Sequence, residues 1–377
     1  MRLVHMSDTH LGWRSLHRVD DSGRNQRECD VYDAFDRAVN KAIELAPDVV
    51  IHSGDLFDGY HPSSAALKVC LDGLGRLRDA GIPFVVIAGN HSTPRVAAAE
   101  HVFSVLGSFD RDGLIHAVFA KPARVRIGDL SVLAVPHVND DAAVRDALAA
   151  AAPDSDAEYN VLVAHVGLDG LGHVGGSEAG SVTLSGETLE AADAFDYVAL
   201  GHLHRFQDVR DNIAYSGSLE RLSWADDPEG RKGVLEVDLA AGFTSASFVT
   251  FHEIAVRRHV LLPAIDASTI ADLEGVIVAA ADNVDVSRSA PMVHLVIQNV
   301  TSADWSGVDR PRIAAAFANC LHVELVPEIV GEEHMALTSP DLREFVSAWP
   351  GAKGINTEEL ITRAEHFLAL ADQEIAA

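Results

Sequence analysis

The sequence predicts an α/β fold, with a large first domain followed by a smaller second one. Three observations carry that reading. Short apolar runs alternate with amphipathic stretches through the first half, as strands and helices do in turn. The chain has 377 residues, more than one average domain, and its 48% hydrophobic content is enough for a sizeable core. After about residue 255 the texture changes to a second, shorter set of alternating elements.

Leu3–Met6 reads as a strand. Cys29–Ala46 reads as a helix because Val31, Phe35, Ala38, Val39, Ala42 and Ile43 share one face at helical spacing. Asp48–His52 returns to strand. Ser63–Asp79 is a helix, with Pro62 just before it and Gly81 after it. Strands follow at Pro83–Ala88, Val118–Ala120, Ala123–Ile127, Leu130–Pro136, Asn160–His165 and Tyr197–Leu200. Val209–Arg210 and Ile213–Tyr215 flank Asp211-Asn212, a hairpin turn. Gly233–Leu239 and Ser245–Ile254 close this part as antiparallel strands.

Beyond it, Val260–Ile265 (strand), Thr269–Ala281 (helix), Met292–Val300 (strand), Pro311–Ala318 (helix) and His322–Glu328 (strand) make a βαβαβ unit. A last helix, Thr357–Glu374, carries Leu360, Ile361, Ala364, Phe367, Leu368 and Ala371 as one apolar stripe. Such a stripe packs back on the body or takes a partner helix. The expected domains are therefore residues 1–254, 255–336 and a helical tail, 337–377.

The net charge is −27, which argues against a free-standing, tight nucleic-acid binder, since such a protein must neutralise phosphates. It leaves open a nuclease that meets DNA at a metal site, or one whose partner supplies the basic surface. Cys29, Cys70 and Cys320 form neither a disulfide framework nor a CxxC zinc pattern, and a reducing cytoplasm fits them. Met1 leads directly into a strand, leaving no room for a signal peptide, and no apolar run of about 18 residues suggests a membrane span.

The strongest chemical signals lie at strand ends. Asp8-Thr9-His10, Gly54-Asp55, Gly89-Asn90-His91, His165 and Gly201-His202-Leu203-His204 each follow an apolar strand. Ligands of open α/β sheets sit beyond the carboxyl ends of the strands. Five such ends therefore bring Asp, His or Asn to one rim. Carboxylate, imidazole and amide oxygen suit Mn²⁺, Fe²⁺ or Zn²⁺, and the lack of thiolates disfavours a soft site. Two adjacent metals need a bridging carboxylate, and then activate a water and clamp a phosphate. Glycines 54, 89 and 201 let the backbone turn beside these residues.

This ordered set resembles the calcineurin-like metallophosphoesterases over roughly residues 1–252. Softer features are similar to the SbcD-type DNA repair nucleases among them: His5 to Gly12, Ser53 to Asp58 with Pro62-Ser63, and Tyr215 to Arg221 (Tyr-Ser-Gly-Ser-Leu-Glu-Arg). The resemblance implies a four-layer α/β/β/α sandwich with a small α+β capping domain. It implies one metal on Asp8, His10, Asp55 and His204, and another on Asp55, Asn90, His165 and His202. Mn²⁺ is the expected ion, with Mg²⁺, Fe²⁺ or Zn²⁺ as alternatives.

By the same resemblance His91 is catalytic, protonating the leaving 3′-oxygen or steadying the transition state. Implied partners are DNA, an SbcC-like SMC-type ATPase that seizes the C-terminal helix, and a second copy of the chain. The sequence departs from the family at Ser92, where an Asp supporting the neighbouring His is usual. Asp58, where some relatives carry His, reads as a supporting carboxylate.

Other features carry less. Arg14 and Arg18, with Arg24 and Arg27 in the same loop, are candidate contacts to a DNA backbone. Gly167–Gly186 is glycine-rich and carries His173; it reads as a connection or a rim loop. His5 and His52 read as core or supporting residues, and Arg257-Arg258 as a surface pair. The alternative function is a phosphodiesterase or phosphatase for a small nucleotide or other phosphoester, which would use the same metal set. A scaffold that has lost catalysis is disfavoured, because every ligand position and His91 are present.

Overall fold

The computed structural model describes residues 1–94, 100–110, 112–169, 182–185, 191–224, 226, 230–287 and 289–330. The expected tail and its helix, His173 and most of the glycine-rich stretch lie outside the described residues. The chain divides into two compact units. The first comprises Met1–Pro263, Val278–Leu295 and Pro311–Glu324; the second comprises Ala264–Ile277, Val296–Arg310 and the described residues from Leu325 on.

The elements of the first unit begin with β1 (Arg2–Met6), α1 (Gln26–Leu45), β2 (Val49–His52), α2 (Ser64–Asp79), β3 (Phe84–Ile87), α3 (Phe103–Phe109) and β4 (Ile115–Val118). Next come β5 (Ala123–Ile127), β6 (Leu130–Val135), α4 (Asp141–Ala149), β7 (Tyr159–His165), β8 (Gly167–Leu168) and β9 (Thr183–Leu184). β10 (Tyr197–Gly201), β11 (Gln207–Arg210), β12 (Ile213–Tyr215), β13 (Gly233–Asp238) and β14 (Val249–Glu253) follow. Among the described residues twelve of these strands form two six-stranded sheets, ordered β14-β13-β1-β2-β3-β4 and β11-β12-β10-β7-β6-β5, while β8 pairs with β9 alone. β1 to β4 run parallel, as do β6, β7, β10 and β12, while β5, β11, β13 and β14 pair antiparallel at or towards the edges.

The period-two alternation of strands sorts the side chains into layers. Leu3, Val49, Ile51, Val85 and Ile87 face Val132, Ala134, Val161, Val163 and Ala199, so the two sheets pack face to face. Val4, Met6 and Val50 point the other way, onto Val31, Phe35, Leu74 and Leu77 of α1 and α2 and Leu106 of α3. Leu162, Ala164, Val198 and Leu200 point onto Val144 and Leu148 of α4. The order is helices, sheet, sheet, helix, as expected. The parallel arrangement brings the carboxyl ends of β1, β2, β3, β7 and β10 to one rim.

Several boundaries differ from the sequence expectation for local reasons. α1 begins three residues early because the Asn25 side chain caps it, accepting from the backbone N–H of Arg27 and Glu28. β4 ends where a strand was expected to begin, at Val118. α3 and α4 were not expected; α4 is opened by Asp140, which accepts from Ala143 N. The strand expected over Val260–Ile265 is two pieces, β15 (His259–Leu261) and β16 (Ile265–Asp266). Pro263 lies between them and has no N–H to give to a ladder.

The expected helix Thr269–Ala281 is α5 (Leu273–Ala280) after a 3₁₀ turn at Ala267–Thr269. β17 (Met292–Val300), α6 (Ser302–Gly307), α7 (Arg310–Ala316) and β18 (His322–Ile329) complete the described chain. In the first unit β15 pairs parallel with the start of β17, and in the second β16 pairs parallel with its end.

Candidate metal centre

The backbone builds the rim before any side chain acts. After β1 the chain hydrogen-bonds to the turn after β2: Asp8 N donates to Gly54 O at 3.0 Å, His10 N to Asp55 O at 2.9 Å and Leu11 N to Leu56 O at 2.9 Å. Asp8, His10, Asp55 and His202 all adopt positive φ (49°, 51°, 51° and 106°), a region that residues other than glycine seldom occupy. Such strain persists only where the surroundings over-determine it, and it gathers at functional sites.

The glycines serve space more than turning. Gly54 alone of the three has positive φ (109°), and a Cβ there would meet His165 Nδ1 at 2.2 Å. A Cβ at Gly89 would meet Asp55 Oδ1 at 2.2 Å, and one at Gly201 would meet Ser53 O at 2.2 Å.

Three overlapping groups have donor atoms within 4.8 Å of one another: Asp8, His10 and His204; His10, Asp55 and His91; Asp8, Asp55 and His165. Asn90 joins them, its Oδ1 3.0 Å from His165 Nε2. His202 donates its backbone N–H to both Asp8 oxygens, at 3.0 and 3.2 Å, and its ring centroid lies 5.5 Å from that of His165. All seven expected ligands and His91 are thus brought to one place.

Four histidines there share one arrangement. His165 Nδ1 faces the Ser53 carbonyl at 2.9 Å and His91 Nδ1 the Asp58 carbonyl at 3.0 Å. His10 Nδ1 faces Asp58 Oδ1 at 3.2 Å, and His204 Nδ1 faces the Asp226 carboxylate at 3.2 and 3.3 Å. Each partner only accepts, so each Nδ1 is the protonated nitrogen and leaves a lone pair on Nε2 when the ring is neutral. This is how metal-bound imidazoles are usually held.

The consequence is a convergence of acceptors. His165 Nε2 lies 3.0 Å from Asp55 Oδ2, and His10 Nε2 lies 3.9 Å from the same oxygen. Both carboxylate and imidazoles are about 1% exposed, and His10 Nε2 is buried with no hydrogen-bond partner. Acceptors turned toward one another in a dry site need a proton or a cation between them. Burial works to lower the His165 pKa, but the adjacent Asp55 carboxylate outweighs it and raises it to about 9. Burial likewise opposes charge on Asp55, yet His165 holds it well below the usual carboxylate range. His204, despite its burial, is raised by Asp226. The donor set and the unmet His10 nitrogen fit a pair of divalent cations.

The family model for the calcineurin-like phosphoesterase matches residues 1–206. The chain belongs to the calcineurin-like phosphoesterase family. It is also similar to the DNA double-strand break repair protein Mre11 of several archaea. The protein of Sulfurisphaera tokodaii is 34% identical over 206 residues, 54% of this chain and 49% of that one. That of Saccharolobus solfataricus is 34% identical over 227 residues, 58% and 54% of the two chains. That of Sulfolobus acidocaldarius is 28% identical over 307 residues, 79% and 75%. The chain spans about half the length of the first two relatives. No helix among the described residues of this phosphoesterase is long and apolar enough to cross a membrane.

Other expected residues fall elsewhere. Arg14 is exposed, with its guanidinium on Glu28 at 2.9 Å, and Arg18 is exposed. Arg27, grouped with them in the sequence, is only 1% exposed and donates to Asp30, Glu220 and the Arg221 carbonyl, so it is not available to DNA. Arg257 is not a surface residue either; it grips both Asp30 oxygens, at 2.5 and 2.6 Å. His5 and His52 are buried supports: His5 bridges Tyr197 and Ser53, and His52 meets Thr9. Ser92 turns inward to accept from Gly89 N at 3.3 Å, and the Asp58 carbonyl holds the His91 ring instead.

Sequence reading missed Asp226 and Lys232. Nothing local marks them; they lie 22 and 28 residues from His204.

Proposed function

We propose that this chain is a two-metal phosphodiesterase that cleaves DNA as an exonuclease and endonuclease in repair. One cation would rest on Asp8, His10, Asp55 and His204, the other on Asp55, Asn90, His165 and His202. The observation that carries the reading is Asp55 Oδ2, buried between the Nε2 atoms of His165 and His10, which suits a carboxylate shared by two ions. When bound, the cations supply Lewis-acid polarisation of the phosphate and a water of lowered pKa. The donor set accepts Mn²⁺, Mg²⁺, Fe²⁺ or Zn²⁺, and we take Mn²⁺ as the working ion.

The protein's own residues do the rest. Ser53, Asp58 and Asp226 hold the Nδ1 sides of the imidazoles and so aim Nε2 inward. His91, with Nδ1 donating to the Asp58 carbonyl and its backbone N–H on Asp55 Oδ1 at 3.0 Å, would in its doubly protonated form give the Nε2 proton to the leaving 3′-oxygen. Arg14 and Arg18, exposed in the adjoining loop as Arg24 also is, are suited to a phosphate backbone.

The named role of the archaeal relatives supports DNA as the substrate. The charge of −27 supports a partner that supplies the basic surface, an SbcC-like SMC-type ATPase in the cytoplasm, and a second copy of the chain completes the proposed assembly.

The test is hydrolysis by the purified chain with Mn²⁺. Labelled single-stranded and duplex DNA are compared with bis-p-nitrophenyl phosphate, and Asp55→Ala is the control. DNA cleavage lost in the variant is expected. Cleavage of the small diester with DNA untouched, even after the ATPase is added, would favour the small-substrate phosphodiesterase instead.

A further inference from the structure

The stretch Tyr215 to Arg221 is singled out by its sequence, yet none of its residues enters the proposed metal set. Its geometry gives it a task. Gly217 has φ of 77°, and a Cβ there would meet Phe206 N at 2.7 Å and the His204 carbonyl oxygen at 2.9 Å, so only glycine lets this chain cross so close behind His204. Ser218 N then donates to the His204 carbonyl at 3.1 Å. Lys232, almost fully buried, donates to the same carbonyl at 2.6 Å and to Ser218 Oγ at 2.7 Å.

The other end of the residue is held by Asp226, whose oxygens lie 3.2 and 3.3 Å from His204 Nδ1. That carboxylate is itself fixed: it accepts from Leu222 N at 2.8 Å, Ser223 N at 3.2 Å and Ser223 Oγ at 3.0 Å, and it is only 5% exposed. The same stretch also reaches the strand end that bears Asp8. Ser7 and Ser218 form a bridge, Ser7 Oγ donates to Gly217 O at 3.3 Å, and Ser216 Oγ donates to Ser7 Oγ at 2.8 Å.

We infer that Gly217, Ser218, Asp226 and Lys232 form a cradle that sets His204 and registers it against Asp8, with Asp226 as the positioning residue for the His204 ring. The inference rests on the two-metal reading above. A lone hydrogen-bonded aspartate would only shape its own loop. This one also grips the ring nitrogen opposite the lone pair that faces Asp8 and His10. Its carboxylate fixes the tautomer, restricts ring rotation and raises the basicity of the ligating nitrogen. Lys232 and Ser218 stop the backbone of His204 from shifting under the ring.

The test is Mn²⁺ binding by the full chain, measured by titration calorimetry and by metal content after dialysis, with melting temperature recorded for every variant. Asp226→Leu is expected to keep one Mn²⁺ at wild-type affinity and to bind the second about 10–100-fold more weakly. Asp226→Asn, whose amide oxygen still accepts from Nδ1–H but carries no charge, falls between. Asp226→Glu recovers most of the lost affinity. Lys232→Met shows a smaller loss at the same ion. If Asp226→Leu unfolds, the Asn and Glu variants still decide. Two wild-type affinities in every folded variant would overturn the cradle while leaving the dimetal reading intact. A wild-type chain that binds no divalent ion would overturn both.

Discussion

Arg27 and His10 are each only 1% exposed, and each sits among carboxylates, yet their surroundings differ in kind. Around Arg27 every charge faces an opposite one. Arg27 meets Asp30 and Glu220, Arg257 clasps Asp30, and the backbone N–H groups of Arg221 and Arg257 point at Glu220. Around His10 the grouped atoms of Asp8, Asp55 and His204 are acceptors, carboxylate oxygens and an imidazole lone pair turned inward. The first cluster is matched charge for charge, with only single N–H groups such as Arg27 Nε left without an acceptor, and it holds the fold. The second is completed only by something brought from outside. Burial and charge do not separate a structural cluster from a functional one; the balance of donors against acceptors does.

That contrast can be broken experimentally. The largest effect is expected from Asp55→Ala, which should lose both Mn²⁺ ions together and drop phosphodiester cleavage to background; one fully retained metal site would end the shared role of Asp55. Next, His91→Ala should keep both metals but lose about 10²–10⁴-fold in turnover, since it removes a proton donor and no ligand. Collapse of metal content in that variant would move His91 into the ligand set.

Arg27→Met should do the reverse. Its two Mn²⁺ ions should remain, while urea unfolding shows a loss of about 3–5 kcal/mol, because Asp30 and Glu220 are left buried with less compensation. Lost metal with unchanged stability would erase the distinction between the clusters.

The smallest effect is a pH dependence of the metal-free protein. The folded His165 pKa is raised to about 9 from an ordinary 6.5, so the stability it contributes is complete below pH 6.5 and is lost as pH rises through 9. Lys232, lowered by burial to about 8 from 10.5, acts in the opposite sense, and only above pH 8. In chelator, the stability difference between wild type and His165→Gln should therefore shrink by up to about 3 kcal/mol between pH 6 and 9. An unchanged difference would show that Asp55 and His165 do not bind that proton together. Saturating Mn²⁺ should abolish the trend, since ion and proton compete for the same atoms.

Much of this was legible along the chain. Apolar strands followed by Asp, His or Asn show in sequence because a parallel sheet repeats one local unit and each unit ends on the same rim. The alternation of Leu3 with Val4, and of Val161 with Leu162, foretells faces and hence layers. The elements that escaped include α3, α4, α6 and the break at Pro263; all are short or weakly patterned, and α4 and α6 are opened by the caps of Asp140 and Thr301. Arg27 was misplaced because exposure is not a local property: an arginine beside Arg14 and Arg18 in sequence is drawn under the surface by Glu220, 193 residues away.

By itself the sequence determined which residues carry donor atoms, at which strand ends they stand and in what order. Only the tertiary structure decided what stands behind each donor: Asp58 behind His10, the Ser53 carbonyl behind His165, Asp226 behind His204, and space for no side chain at Gly89 and Gly201. The physical reason is range. Strand periodicity and a turn after a strand act over a few residues and leave a trace in the chain. A hydrogen bond that fixes an imidazole acts over three ångströms in space, and it can join any two residues that the packing of two sheets brings together.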